Sequence, residues 1–295
     1  MTWPISPRPS AYSGPDSTAE MVDYSKTHAF WEGRGRDPSL DALNVTMLRE
    51  RLPDLAAFID RAEKRRLRRL LRLDRSMDVL DLGCGAGRLS IEFARRCRSV
   101  VAVDFSQALV DRGRVAAREA GVSNIRWIVA SAVDFQSADT FDAIFMGGLL
   151  PFLDDADVLR LLNRLRAMLR PKGTLASRDS VLADREPQPP ATPPGYEVKY
   201  RRRADYAAFF CETGFEIVLS DDLYAFPAPA YLYDRLVPER LKAAAVPRAL
   251  LRAALMMQLL FDHLQRRLAF VNRALAGRRA KIVQIITVCR HRLGG

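Results

Sequence analysis

Histidine and closely spaced cysteine are what this sequence has least of. Its three histidines (His28, His263, His291) lie far apart, and its four cysteines (Cys84, Cys97, Cys211, Cys289) include no pair at short spacing. Neither a zinc cluster nor a disulfide framework is suggested, and a reduced, cytoplasmic setting fits. Long apolar runs are lacking too. No run without charge, AALMMQLLF at 253–261 among them, approaches the roughly 20 residues a membrane span needs. Residues 1–19 are rich in Pro and Ser without the apolar block of a signal peptide, and read as a disordered leader.

What is present is an ordinary globular composition. With 295 residues, 48% hydrophobic and 27% charged, the chain can bury one generous core. Its net charge of +11 would suit a polyanion, yet the basic residues are dispersed. RAEKRRLRRLLRLDR at 61–75 alternates arginines with Leu67, Leu70, Leu71 and Leu73, the pattern of a helix whose leucines pack and whose arginines face water. KYRRR at 199–203 is a sharper cluster, readable as a solvated helix start or as an anchor for an anionic substrate group.

From residue 78 onward, strand-like and helix-like periods alternate, as in α/β folds built on a parallel sheet. Strands are expected near 78–82, 99–103, 125–130, 141–146, 173–178, 215–219 and 280–289, and helices at 87–97, 106–119, 155–169 and 203–213. The third helix should end at RPKGTL, where Pro171 and Gly173 offer a breaker and a turn. A proline-rich segment at 183–200 reads as a lid or substrate loop. An insertion at 222–277 should contain a helix from Pro247 to Gly277. Its apolar seam (Leu250, Ala254, Met257, Phe261, Leu264, Leu268, Val271, Leu275) is expected to pack on the domain. The second face, through Leu251, Leu255, Met256, Leu259 and Leu260, is then left for a hydrophobic part of an acceptor or a second subunit.

The most informative stretch is VLDLGCGAGRLSIEFARRCRSVVAVDFS at 79–106. A strand ending at Asp81 runs into Gly83, Gly85 and Gly87 and then a helix, a loop that lets a ligand approach bare backbone. The strict alternation, with an acid two residues ahead, differs from the G-x-G-x-x-G that seats a pyrophosphate, and an acid there suits a cation. Asp104 ends the next strand, where its two oxygens can accept both hydroxyls of a ribose.

These residues resemble a class I S-adenosylmethionine-dependent methyltransferase. The likeness continues through FDAIFMGGLLPFLDDADVLRLLNRLRAMLRPKGTLASRDS and DYAAFFCETGFEIV, and covers roughly 78–220 and the last strand. It implies a doubly wound, mostly parallel seven-stranded sheet with a helical insertion before the last strand. The resemblance divides the chain into an N-terminal helical cap (20–75), a catalytic domain (76–221 with 278–292) and the insertion. It also implies that Gly83, Cys84 and Gly85 pass along the methionine part of the cofactor, with Asp81 near its ammonium group, and that Asp104 holds the ribose.

Phe105 is placed against the adenine, or in the core as an ordinary aromatic. The family often carries an Asp after the third strand; Ser131 stands there, so backbone at Ala132 and Val133 is expected to share adenine recognition. Gly147 should offer backbone near the methyl group. Tyr24, Trp31 and Arg34 are candidates for folding over the cofactor, Arg34 as partner of its carboxylate. Asp179 is the candidate base for a hydroxyl acceptor. No metal is implied. The fourth strand lacks the N/D-P-P-Y/F element that grips a flipped base, which argues against nucleic acid, while the lid and the long insertion suggest a roofed pocket for a small molecule (a sugar, lipid-linked compound or secondary metabolite) with an oxygen or nitrogen acceptor. The alternatives are a non-catalytic subunit acting through the 250–275 helix and an RNA-modifying enzyme; peripheral membrane contact and a homodimer stay open.

Overall fold

The computed structural model describes residues 21–50, 52–182, 192–223, 228–242, 244–267 and 282–292. The expected leader, most of the proline-rich segment (183–191) and the end of the insertion (268–281) lie outside the described residues.

Seven strands make one sheet: β1 (Asp78–Leu82), β2 (Ser99–Asp104), β3 (Ile125–Val129), β4 (Phe141–Gly147), β5 (Leu169–Leu182), β6 (Phe215–Asp222) and β7 (Ile282–His291). Their spatial order is β3-β2-β1-β4-β5-β7-β6. The first five run parallel, and β7 lies antiparallel between β5 and β6. The near-continuous apolar runs of β1 and β2 follow from burial on both faces. Leu80, Leu82, Val101, Val103, Ile144 and Met146 pack toward α6 (Asp155–Met168) and α7 (Arg203–Glu212). Val79, Val100, Ala102, Ala143 and Phe145 take the other face, against α3 (Pro53–Leu71) and α4 (Arg88–Ala94). This is the doubly wound arrangement, and it places the strand-to-helix loops together at the carboxyl ends of β1, β2 and β4.

Two local expectations are corrected. The α6 helix ends at Met168 and passes straight into β5. Pro171 and Gly173 therefore form no turn between elements. They sit in a bulge, where the pairing of Phe141 with Leu169 is followed by that of Ala143 with Thr174; extra residues on one strand accommodate the proline's missing N–H.

The second concerns the insertion, which holds α8 (Ala228–Leu236), α9 (Glu239–Lys242) and α10 (Ala245–Arg267). The expected packing seam of α10 is turned outward, with Leu250 and Met257 exposed. Leu251, Leu255 and Leu259, expected to form the free face, pack with Phe58 and Ala62 of α3 and with Ala230 and Tyr233 of α8. Both faces carry leucines at helical spacing, so periodicity leaves the rotation of the helix open. Polar contacts fix it: Arg248 and Arg252 both donate to Asp54, at 3.1 and 2.6 Å, and Arg65 donates to the Leu259 carbonyl at 2.7 Å.

Candidate active site

The loop after β1 is tied to the end of β2, since the Gly83 and Cys84 N–H groups both donate to the Val103 carbonyl, at 2.8 and 3.0 Å. Gly85 adopts φ +55°, and a Cβ there would stand 2.9 Å from the Thr46 methyl. Bare backbone at this point is thus demanded twice, by conformation and by the close approach of α2 (Asn44–Met47).

Asp104 faces the same loop. One carboxylate oxygen accepts the Gly85 N–H at 2.8 Å and the other the Ser106 N–H at 3.0 Å. A carboxylate has about four acceptor positions, so each oxygen keeps one for a hydroxyl. Asp81 is also buried and accepts the Ser90 hydroxyl of α4 at 2.5 Å. Burial pushes Asp81 up to about 7 and Asp104 up to about 6 against the hydrogen bonds each receives. Two buried acids at one loop, both held above the usual carboxylate range, make a site whose ionised form is stabilised by an added cation. Together with the glycine cradle, they fit a ligand bearing a ribose and positive charge.

A strap crosses this end of the sheet. Helix α1 (Tyr24–Arg36) starts from an N-cap at Asp23, which accepts the Ser25 and Lys26 N–H groups. The Tyr24 hydroxyl donates to Asp157 of α6 at 2.5 Å and accepts the Asp154 N–H at 3.1 Å. Farther along, Glu32 accepts the Ser106 hydroxyl at 2.7 Å and the Ala108 N–H at 3.2 Å, at the start of α5 (Gln107–Glu119). The strap therefore spans from the helix after β4 to the helix after β2. Trp31 is buried beneath it, edge-on to Phe30, Phe152 and Tyr196. Phe105 meets His28 edge-on at 5.3 Å.

Arg34 is engaged by protein groups rather than left for a cofactor carboxylate. Its Nε donates to the Val45 carbonyl at 2.9 Å and an Nη donates to the Asn44 carbonyl at 2.5 Å and to Glu50, so it secures α2 over the glycine loop. The turn after β3 is held through Ser131, whose hydroxyl accepts the Val133 N–H, and through Arg164, which donates to the Ala132 and Val133 carbonyls.

At the end of β5, Asp179 and Arg178 face opposite ways. Asp179 is buried, accepts the Ser177 hydroxyl and is pushed by burial up to about 6. It shares a pleat face with Leu175 and Val181, which pack with Tyr206 and Phe209 of α7. The neighbouring residue, Arg178, points the opposite way. Its Nη1 lies 2.9 Å from where a Cβ on Gly148 would be, and its backbone carbonyl accepts the Gly148 N–H at 2.6 Å. Arg178 Nε donates to Glu63 at 2.9 Å, and Glu63 also pairs with Arg88, itself bonded to Asp60 at 3.0 Å. Burial alone would raise Glu63, but the two guanidiniums outweigh it and hold the acid below its ordinary value. Thr46, Glu63, Arg88 and Arg178 are not among the site residues expected from the sequence. One signal was there: Glu63 shares a helical face with the buried Leu67 and Leu71, at intervals of four, an acid on an apolar stripe.

The 199–203 cluster is not free to hold an anion. Lys199 and Arg201 both pair with Asp155, Arg201 also donates to the Leu150 and Leu153 carbonyls, and Arg203 pairs with Asp222. At the opposite end of the sheet, a groove of about 640 Å³ runs past Asp78, Asn124, Arg126, Asp139 and Arg170. There the arginines pair with Asp78, Asp139 and Asp142. Among the described residues no group of three or more metal-ligating side chains converges, and no helix is long and apolar enough to cross a membrane.

Residues 79–173 match the family described as "Methyltransferase domain". The chain carries a class I methyltransferase domain. Phosphoethanolamine N-methyltransferase of Triticum aestivum is 29% identical over 152 residues, which is 51% of this chain and 29% of that protein. This chain thus spans under a third of the length of that relative. Among solved structures, phosphoethanolamine N-methyltransferase 1 of Haemonchus contortus, with phosphoethanolamine and S-adenosylhomocysteine, superposes with a TM-score of 0.59 at 18% identity. The match covers 92% of this chain and 50% of that one. The [4+2]-cyclase SpnF gives 0.54 at 20% identity over 80% of this chain and 82% of its own. The S-adenosylmethionine-dependent methyltransferase fold is common to these chains, and their differing names show that the fold by itself leaves the acceptor open.

Proposed function

We propose that this chain transfers a methyl group from S-adenosylmethionine to an oxygen or nitrogen of a small molecule that carries an anionic group. The observation that carries the reading is the carboxylate clasp at the glycine loop. Asp104 is anchored through both oxygens to backbone N–H groups and still has acceptor positions for two ribose hydroxyls. S-adenosylmethionine, when bound, supplies an electrophilic methyl group on a sulfonium. Gly83, Cys84 and Gly85 would lie along its methionine part, with Asp81 giving negative charge to the ammonium side. Phe105 and the turn at Ala132 and Val133 would take the adenine, and Gly147 would present backbone toward the methyl group. Tyr24 and Trp31 would act by closing the strap, and Arg34 by holding α2 in place. For displacement at a methyl group the protein's main contribution is alignment and exclusion of water.

The acceptor side is argued from Arg178. It is the basic residue aimed at the Gly147–Gly148 corner, and its position is set by Glu63 rather than by an incoming ligand. A guanidinium at that corner suits a phosphate or carboxylate on the acceptor. The phosphate in the name of the wheat relative supports this class. Asp179 would serve as base only by drawing a proton from the α7 side of β5, since its side chain lies on that pleat face.

The test pairs binding with transfer. Calorimetry with S-adenosylmethionine should give a saturable isotherm, and methyl-labelled cofactor should label phosphoethanolamine or another anionic amine or alcohol in preference to ethanolamine. Absence of cofactor binding would overturn the reading. Equal labelling of neutral and anionic acceptors would overturn the role given to Arg178.

A further inference from the structure

Helix α10 buries one face and leaves the opposite one bare. Val246, Leu250, Met257 and Leu260 recur on it at intervals of four, seven and three, with Ala253 between them, and are 71%, 67%, 56% and 63% exposed. Leu255, on the inward face, is 2% exposed. Between residues 245 and 260 the exposed positions are all apolar except Arg252 at the border. The neighbouring α8 and α9 add exposed Leu232, Leu236 and Leu241. Exposed leucines taken singly need no explanation, but a periodic row on a helix whose packing is already complete does.

The border of the row says what would cover it. Arg61 of α3 donates to the Met256 sulfur at 2.9 Å and Arg65 to the Leu259 carbonyl, and neither has a carboxylate partner among the described residues. Arg248 and Arg252 share the single carboxylate of Asp54. The edge of the apolar row toward α3 therefore carries excess positive charge. A second copy of the chain laid on this face would bring like charges together, with no acid in the row to offset them. An anionic bilayer satisfies both features, because the leucines enter the acyl boundary and the arginine stems lie along it with their guanidiniums at phosphate level. At about 35 Å for 23 residues, α10 would lie in the plane of the surface.

We propose that the outward face of α10 is a docking surface for anionic lipid membranes. The proposal stands apart from the methyl-transfer reading, since none of its residues belongs to the cofactor or acceptor site.

The full chain should pellet with phosphatidylcholine/phosphatidylglycerol vesicles, and not with phosphatidylcholine alone, and salt should release it. Leu250→Glu with Leu260→Glu should weaken binding by about tenfold or more, and Arg61→Gln by about fivefold. All of these positions are at the surface, so far-ultraviolet circular dichroism and Tm should be unchanged. Failure to bind the mixed vesicles, or equal binding by the double-Glu variant, would overturn the proposal. So would light scattering that shows a dimer dissociated by those two substitutions, because a second copy would then occupy the face.

Discussion

Asp104→Asn tests the proposed ribose clasp apart from the rest of the site. In the ligand-free protein each Asp104 oxygen accepts one backbone N–H, from Gly85 and from Ser106. An amide keeps one acceptor and sets its own N–H₂ against the other donor. Replacing hydrogen bonds to a charged group should therefore cost about 1.5–3 kcal/mol of cofactor affinity, roughly 10- to 150-fold in Kd. The fold itself should lose about 1–3 kcal/mol from the unsatisfied buried N–H, which thermal unfolding of the ligand-free variant measures separately.

The pH dependence gives an independent check. Burial puts Asp104 at about 6 and Asp81 at about 7, so both hold protons in mildly acidic solution. A cationic ligand favours their ionised forms. Its affinity should rise with pH from about 5 to about 7.5 and then level off, with proton release on binding. Without ligand the sign reverses: carboxyls whose folded values lie above the unfolded ones stabilise the chain at low pH, and that contribution is lost as pH rises through 6 to 7. Calorimetry in buffers of different ionisation enthalpy reads both affinity and proton release. Wild-type affinity in Asp104→Asn, or a Kd flat across that range, would refute the clasp.

Gly85→Ala should cost about 1–3 kcal/mol from the left-handed conformation and more from the 2.9 Å contact with Thr46, with cofactor binding lost; a Tm and Kd like wild type would place the loop differently. Glu63→Gln removes the charge shared by Arg88 and Arg178 and should destabilise by about 3 kcal/mol, with denaturant titration as the measure and an unchanged midpoint as the contrary result. Methyl transfer should survive EDTA, because no ligand cluster exists among the described residues; activity abolished by chelation and restored by magnesium would contradict this.

The sheet was legible from sequence because β1, β2 and β4 are short apolar runs with Asp81, Asp104 and Gly147 at or next to their ends. The glycine loop was legible for the same reason, with one limit: Gly87 answers to packing rather than to a ligand, since a Cβ there would stand 2.3 Å from the Trp127 ring. The site's supports were harder to read. Glu32, Glu63 and Arg164 act across long sequence separations, and nothing local marks an arginine as a carbonyl clamp. The rotation of α10 was unreadable because its apolar residues wrap most of the helix, so polar partners on α3 made the choice.

The residues Arg178 and Asp179 show how little separates a reactive corner from a structural one. Successive side chains of a strand point to opposite faces, so only one of the two can stand beside Gly147 and Gly148. Glu63 is on the α3 side and draws the guanidinium there, while the carboxyl goes under α7. Two ladders fix this choice. Gly147 pairs with Arg178 across β4, and Ile286 and Ile285 of β7 pair with Arg178 and Asp179 from the other side. A slip of one residue would exchange the two side chains, placing an unpaired carboxylate at the Gly147–Gly148 corner and a second guanidinium, beside that of Arg201, among Tyr206 and Phe209. Because β7 braces β5 on its second edge, that slip would require breaking both ladders. The last strand, remote in sequence from the glycine loop, thereby determines which charge faces the Gly147–Gly148 corner.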